Sequence, residues 1–373
     1  MILTQCTACA APLGLSLGKK CSRCSTRYCG PACQKKHWEE GGHDKLCKKI
    51  RKGGGAEQNY AENKCAESIA VAVAACATDT KGQTCYICTE AVHWKTKEGL
   101  VRMCVCRGTS GFAHVSCLAE QAKILFEEAE ENNLDKNAPW GRWNVCGLCE
   151  QRYHSVVACA LGWACWKTYL GRPETDEIRS MALGRLGIGL TSAKQYEDAL
   201  SVQEAELNME RRLGASDNNM LAVQGNLAST YENLGHHELA LQLKHDAYSG
   251  YLELYGEEHM YTLLAASNYT TALLRSKRFE EVKPLLRKAM PVARRVLGES
   301  HDLTVKMRAN YAQTLYMDPD ATLDDLREAV ETLEDATRTS RRVFGGTHPT
   351  AVQIESNLAM AREFLRVREL GER

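Results

Sequence analysis

The residues able to do chemistry in this chain are cysteines and histidines set in close pairs. Between Cys85 and Cys149 stand Cys85-x2-Cys88, Cys104-x-Cys106, His114-x2-Cys117 and Cys146-x2-Cys149. Structural Zn2+ takes four Cys or His ligands in a closed tetrahedron, so two ions account for all eight residues. Four pairs at these separations suit a cross-brace. Cys85, Cys88, His114 and Cys117 would hold one ion, and Cys104, Cys106, Cys146 and Cys149 the other. Upstream, Cys6-x2-Cys9, Cys21-x2-Cys24, Cys29-x3-Cys33 and His43-x3-Cys47 supply eight more donors, enough for two further ions. The expected cofactor is therefore zinc, about four ions per chain. His37 competes with His43 but lacks the x3 spacing to Cys47. A disulfide framework is disfavoured, because Cys-x2-Cys is metal spacing and no secretory leader opens the sequence. A reducing compartment follows as the expectation, cytoplasm or nucleus.

The elements that must position these pairs are bounded by composition. The 373 residues carry no formal net charge, and 44% are hydrophobic and 25% charged, as in ordinary globular protein. Two or three domains are expected at this length. All 18 cysteines precede residue 166, which divides a metal-binding half from a cysteine-free one. Overall neutrality gives no sign of a nucleic-acid partner. Residues 1–55 are locally basic, with eleven Lys or Arg against three Asp or Glu, a net of +8. That surface could meet an acidic protein or nucleic acid, or be a solvated face. The longest apolar run, Val156 to Trp166, is about half a membrane span and predicts a buried helix. No membrane partner is expected, and no lipidation signal is present. Outside the metal pairs there is no Ser-His-Asp or Cys-His nucleophile set and no phosphate-cradling glycine loop. No residue is assigned as catalytic.

The first module, Tyr28-Cys29-x3-Cys33-Gln34-x3-Trp38 followed by His43-x3-Cys47, resembles a MYND zinc finger. The resemblance implies one ion on Cys6, Cys9, Cys29 and Cys33 and a second on Cys21, Cys24, His43 and Cys47. It further implies a protein-interaction module for short proline-containing peptides, with Gln34 and Trp38 lining the groove. Trp38 could equally cover the small core. About 42 residues cannot bury a stable core unaided, so metal binding there is folding free energy. The glycines of Lys52-Gly53-Gly54-Gly55 predict a flexible break. A helix over 56–78 follows, with Cys65 and Cys76 as small buried side chains.

The central module resembles the RING-CH variant of the RING finger. The single residue between Cys104 and Cys106, the Arg107-Gly108 after it and the seven residues from Cys106 to His114 carry the resemblance. A PHD finger shares the ligand order and is the rival; it places a Trp two residues before the seventh ligand, whereas Trp143 lies three before Cys146. RING-type modules hold a ubiquitin-charged conjugating enzyme in a reactive geometry, an orientation effect. The resemblance implies Ile87, Leu118 and Leu148 as the contacts to that enzyme. Gln121 stands where relatives place a Trp, and Glu150 where some active RINGs place an Arg. A helix from Leu118 to about Asn132 and a turn over Pro139 to Trp143 are predicted in the long gap before Cys146. Each metal module should fold its own segment, so stripping the second of zinc should leave the following helices intact.

From residue 152 an internal period appears. Gly171, Gly214, Gly256, Gly298 and Gly345 are spaced by 43, 42, 42 and 47 residues. Between them run two apolar patterns at three- and four-residue steps, the second opening at Tyr196, His237, Phe279 and Leu323. A helix-turn-helix unit near 42 residues is a solenoid, and it resembles the tetratricopeptide repeats of kinesin light chain type. A half-repeat over 152–171, four repeats from 176 to about 345 and a capping helix over 349–368 are predicted. Asn226, Asn268 and Asn310 recur at equal phase on successive first helices; Asn357 falls at the same phase in the cap. The resemblance implies that the row hydrogen-bonds a bound peptide backbone. The alternative is that these amides tie helix to helix.

The expected architecture is mostly α, with two small cross-brace zinc modules followed by an α-solenoid of tetratricopeptide-like helix pairs. The spans are 1–50, a linker and Ala-rich helix over 51–82, a second module over 83–151 and repeats over 152–373. The expected function is a zinc-binding multi-domain adaptor working through protein or peptide partners. A ubiquitin-conjugating enzyme on the central module would make it an E3 ubiquitin ligase; a non-catalytic scaffold is the alternative. A MYND-bearing lysine methyltransferase is excluded, because helical repeats occupy the space a SET domain needs.

Overall fold

The computed structural model describes residues 6–11, 13, 18–346 and 348–371. The ends of the 1–50 and 152–373 spans lie outside the described residues. The fold is mostly α-helical, and the chain forms two compact units, Met1–Ala215 and Ser216–Arg373.

In the first unit, the strands β1 (Lys19–Lys20) and β2 (Arg27–Tyr28) pair antiparallel with Lys19 opposite Tyr28. Helices α1 (Pro31–Glu39) and α2 (His43–Lys52) follow. Pro31 opens α1, where the missing N–H has no intrahelical partner to lose. The core of this module is little more than Leu13, Tyr28 and four cysteines, too small to stand without metal.

The glycine run is a hydrogen-bonded turn rather than a flexible break. The Gly55 amide donates to the Ile50 carbonyl at 3.0 Å, and the Ala56 amide to the Cys24 carbonyl at 2.8 Å. Gly54 and Gly55 sit at φ 86° and 100°, which side chains resist. Helix α3 (Ala56–Cys76) thus starts tied to a metal-binding turn, and Cys65 and Cys76 are buried along it.

Helix α4 (Val115–Glu131) begins three residues before its expected start. Its cap comes from 18 residues upstream. Glu98 Oε1 accepts from the Ser116 amide at 2.7 Å and Oε2 from the Ser116 hydroxyl at 2.8 Å. His114 and Cys117 therefore ride on the first turn of a helix. The expected turn at Pro139–Trp143 is a short helix, α5 (Asn137–Gly141).

Helix α6 (Ser155–Tyr169) is the hub. Ten of its 15 residues are buried, including the whole run Cys159 to Trp166, as a central helix should be. Helices α3, α4 and α7 (Glu177–Ser192) all pack on it, and α8 (Tyr196–Leu213) packs on α7. A Cβ on Gly162 would meet the Arg185 carbonyl at 3.0 Å, and one on Gly189 the Ala158 carbonyl at 2.7 Å. Only glycine allows α6 and α7 to approach this closely. Phe126, Trp140, Trp143 and Tyr169 form an aromatic cluster with ring centroids 5.3–5.9 Å apart. The long insertion between Cys117 and Cys146 thereby docks the second metal module onto α6. One apolar core runs from Ala61 to Met209.

The second unit is a stack of antiparallel helix pairs. These are α9 (Asp217–Asn233) with α10 (His237–Tyr255), α11 (Met260–Arg275) with α12 (Phe279–Leu297), and α13 (Asp302–Met317) with α14 (Leu323–Phe344), closed by α15 (Pro349–Gly371). Every second helix starts at its expected residue. The first helices are capped by side chains of the polar turns. Ser216 accepts from the Asn219 amide, while His259 Nδ1 and His301 Nδ1 accept from the amides two residues on at 3.2 Å. The stretched fourth repeat is held by Lys283 Nζ on Asp318 Oδ2 at 2.5 Å and by a capping box of Thr322 with Asp325.

Candidate metal centres

Four clusters of ligand atoms form, each with all four atoms within 4.8 Å of one another. They are Cys6, Cys9, Cys29 and Cys33; Cys21, Cys24, His43 and Cys47; Cys85, Cys88, His114 and Cys117; and Cys104, Cys106, Cys146 and Cys149. The pairs that meet alternate along the chain in both modules. His37 stays out of the second cluster: its Nδ1 meets the Tyr28 hydroxyl at 2.9 Å and its ring stacks on His43.

The four pairs Cys6/Cys9, Cys21/Cys24, Cys85/Cys88 and Cys146/Cys149 share one turn. The amide following each pair donates to the carbonyl of its first cysteine, at 2.8 Å for Ala10, 2.9 Å for Ser25, 2.8 Å for Thr89 and 3.0 Å for Glu150. Each of those residues is left-handed, at φ 57°, 63°, 64° and 56°. In return the first-cysteine amide donates to the carbonyl five residues on, at 2.7–3.0 Å. This knuckle aims both sulfurs of a pair to one side. The same two bonds and a left-handed Lys97 (φ 60°) recur at His93–Glu98, where Thr96 stands in the place of a second cysteine. The His93 ring lies 5.2 Å from that of His114.

Zinc fits these clusters. With Zn–S near 2.3 Å and Zn–N near 2.0 Å, tetrahedral edges are about 3.8 Å between sulfurs and about 3.6 Å between sulfur and nitrogen. Cys9–Cys29 and Cys106–Cys146 are 3.7 Å apart and Cys21–Cys47 3.9 Å. Cys24 lies 3.4 Å from His43 Nε2; Cys88 and Cys117 lie 3.4 and 3.6 Å from His114 Nδ1. Proton affinities within each cluster are split. Burial raises that of Cys6, but hydrogen bonds from Cys29, Ala8 and Cys9 outweigh it and bring the thiol down to about 6. Cys33 is pushed up to about 12, chiefly by its hydrogen bond with Cys29. Cys146 is held down to about 4 by hydrogen bonding from Cys104, and Cys104 is driven far up by the same contact. In the two His-bearing clusters, amide hydrogen bonds override burial to lower Cys21 and Cys85, while burial raises Cys47 and Cys117. Thiolates this close ionise together only around a cation. Closed sets of four soft donors leave no open coordination position, so the zinc here would serve structure.

The surfaces beside the centres are mixed. Gln34 and Trp38, one turn apart on α1, are half-buried and exposed, and the Arg23 guanidinium lies 6.0 Å over the Trp38 ring. Ile87 is half-buried and Leu148 is 52% exposed; each stands just before the second cysteine of its knuckle. Leu118, expected as a partner contact, is buried on α4 and packed in the core, so it is not available to a partner. Its neighbours at helical spacing, Ala122, Phe126 and Ala129, are buried with it. Asn226, Asn268 and Asn310 are all half-buried. The Asn310 amide donates to Thr271 Oγ1 at 3.1 Å and to Thr270 Oγ1 at 3.4 Å, which ties α13 to α11. Asn226 and Asn268 make no such side-chain bond among the described residues. Asn357 is buried and accepts from Gln353. Glu98, which caps α4 beside its two ligands, carries no local sequence signal and was not among the expected site residues.

No curated protein sequence matches the chain. Among solved structures, a Podosopora anserina protein described as a putative kinesin light chain of nearly identical TPR-like repeats is 16% identical, with a TM-score of 0.39, covering 61% of this chain and 97% of its own. A point variant of that protein gives 0.40 at the same identity and coverage. BtubC (BKLC) of P. vanneervenii is 14% identical, with a TM-score of 0.41, covering 69% of this chain and 85% of its own. Residues 6–47, the span of the first two clusters, match the family model of the MYND finger.

Proposed function

We propose that this chain is a zinc-dependent protein-interaction adaptor whose second metal module recruits a ubiquitin-conjugating enzyme, making it an E3 ubiquitin ligase. The adaptor role rests on a MYND finger joined to stacked helix pairs, in a sequence without a catalytic constellation outside the metal pairs. The ligase role rests on the knuckle tips of the second module. Both are aliphatic, Ile87 on one cluster and Leu148 on the other, with Leu148 open to solvent. The corresponding tips of the first module are Ala8 and Arg23. An aliphatic pair held on two rigid turns is a surface that can orient a charged conjugating enzyme without any catalytic side chain. Substrate would be captured by the first finger at Gln34 and Trp38, and by the helix pairs at Asn226 and Asn268. No helix among the described residues is long and apolar enough to cross a membrane.

The burial of Leu118, together with Gln121 and Glu150 at places where active relatives carry other residues, favours a second reading, a non-catalytic scaffold. An autoubiquitination assay separates the two. Zinc-loaded protein is incubated with ubiquitin, activating enzyme and a panel of conjugating enzymes, beside Leu148→Ala and Ile87→Ala variants. Chains that form with the wild type and fade in Leu148→Ala, whose exposed side chain leaves the core untouched, are the expected result. Folded wild-type protein that makes no chain with any member of the panel would leave the scaffold as the function.

A further inference from the structure

The four metal clusters are not equally covered. In the second, Cys21, Cys24, His43 and Cys47 are all buried. The rings of Tyr28, His37 and Trp38 stand round that of His43 with centroids 5.0–6.2 Å away, and the Thr26 hydroxyl lies 3.0 Å from the Cys24 sulfur. The third cluster keeps three ligands buried and Cys88 half-buried; the fourth keeps Cys146 buried and its other three half-buried. The first is different. Cys6 is buried and Cys33 half-buried, but Cys9 and Cys29 are exposed, the only exposed ligands in the four clusters. Only Cys6 of this cluster joins the buried core of the finger. Cys29 stands between β2 and α1, where a Cβ on the adjoining Gly30 would meet nothing within 4 Å. The Cys29 sulfur lies 3.4 Å from that of Cys33 and 3.7 Å from that of Cys9.

We propose that the first cluster is an oxidation site for hydroperoxides, entered at Cys29 and closed as a reversible disulfide. The susceptibility of a thiolate to peroxide follows its exposure, and buried structural cysteines are inert beside it. The Cys29 sulfur attacks one peroxide oxygen. The O–O bond breaks, Cys29 becomes a sulfenic acid, and the departing hydroxide takes a proton from solvent to leave as water. The neighbouring thiolate of Cys33 or Cys9 then attacks the Cys29 sulfur. The S–S bond forms, the S–O bond breaks, and the second oxygen leaves as water with a second proton. Two thiolates have lost two electrons and the peroxide has gained them. Two donors remain where four are needed, so this cluster gives up its ion. The second cluster shares no ligand with the first, so its ion stays. Cys33 lies in the first turn of α1, with Gln34 next to it. Oxidation therefore acts on the face proposed for substrate capture, though the reaction itself does not depend on that role.

Peroxide treatment of the full zinc-loaded chain beside a chromophoric zinc indicator tests this. One ion per chain should appear first, on the order of tenfold faster than the next. Free thiols are blocked at that stage and the chain is digested for mass spectrometry. Cys29 should be joined to Cys33 or Cys9, with the thiols of the other three clusters intact. Dithiothreitol with added zinc should restore the ion. Cys29→His keeps a zinc ligand but removes the thiol that peroxide meets. Loaded with its full complement, that variant should lose its first ion several-fold more slowly. A further measurement needs no variant: brief N-ethylmaleimide labelling of the loaded wild type should mark Cys29 and Cys9 before any other cysteine. Where Cys29→His does not load fully, the wild-type disulfide map and labelling decide. Release of all ions in one phase, a first disulfide outside this cluster, or first labelling at a ligand of another cluster would overturn the proposal.

Discussion

Alanine at Gly111 should cost this protein one zinc ion, and alanine at Gly108, three residues away, should not. Both glycines are left-handed, at φ 84° and 59°. A Cβ on Gly108 meets nothing within 4 Å, so Gly108→Ala carries only the left-handed penalty of about 1 kcal/mol. A Cβ on Gly111 would sit 2.5 Å from Cys106 Cβ, 2.8 Å from its sulfur and 3.4 Å from that of Cys104. Gly111→Ala therefore adds an overpacking cost of about 1–3 kcal/mol to the same penalty. The atoms that must yield are two of the four ligands of one cluster. A difference of about 2 kcal/mol between the variants corresponds to roughly thirtyfold in affinity for that ion, at tenfold per 1.4 kcal/mol. A competition titration with a chromophoric zinc chelator reads this directly. One ion should leave Gly111→Ala at chelator concentrations where wild type and Gly108→Ala still hold their full load. Equal retention by both variants, or earlier loss from Gly108→Ala, would refute the reasoning that Gly111 is glycine because of the sulfur cage.

Cys85→Ser with Cys88→Ser should unfold more than the module that carries them. The apolar core from Ala61 to Met209 is continuous, so fluorescence of the buried Trp163 and Trp166 should change in the same transition as zinc release; loss confined to the metal module would count against this. Asn310→Ala should lower stability by about 1 kcal/mol, through its lost bonds to Thr270 and Thr271. Asn268→Ala should leave the urea midpoint nearly unchanged, and equal effects would show that the row is uniform. Glu206 is wholly buried, and burial together with the nearby Glu210 raises its carboxyl to about 8. The folded state then keeps a proton that the unfolded chain has released, so this contribution is full below the unfolded value of about 4.3 and is lost as pH rises through 8. Thermal melts should show stability falling from pH 6 to 9 in the wild type and a flatter profile in Glu206→Gln.

The metal clusters were legible in the sequence because the knuckle is a local object. Two residues between cysteines fit one turn closed by main-chain bonds, so spacing alone reveals it. The starts of α8, α10, α12 and α14 were legible for a similar reason, since a polar turn before a periodic apolar run marks a boundary. What escaped was non-local. The start of α4 is set by Glu98, 18 residues away. The order in the Gly53–Gly55 turn depends on the Cys24 carbonyl, and the packing of α6 at the centre of the first unit depends on Gly162 and Gly189 meeting opposite backbones. Leu118 is a different kind of miss. Leu118, Ala122, Phe126 and Ala129 follow helical periodicity, so its burial was written in the sequence while family resemblance pointed outward.

The turn at His93–Glu98 bears on how the metal sites load. It reproduces the knuckle's main-chain bonds and its left-handed residue, yet Thr96 offers no thiol. The backbone therefore adopts this shape without help from an ion. In the four cysteine knuckles the two thiols of a pair would then be neighbours before zinc arrives. Capture begins with a chelating pair rather than a lone sulfur, and the search left to the folding chain is only for one pair to find its distant mate.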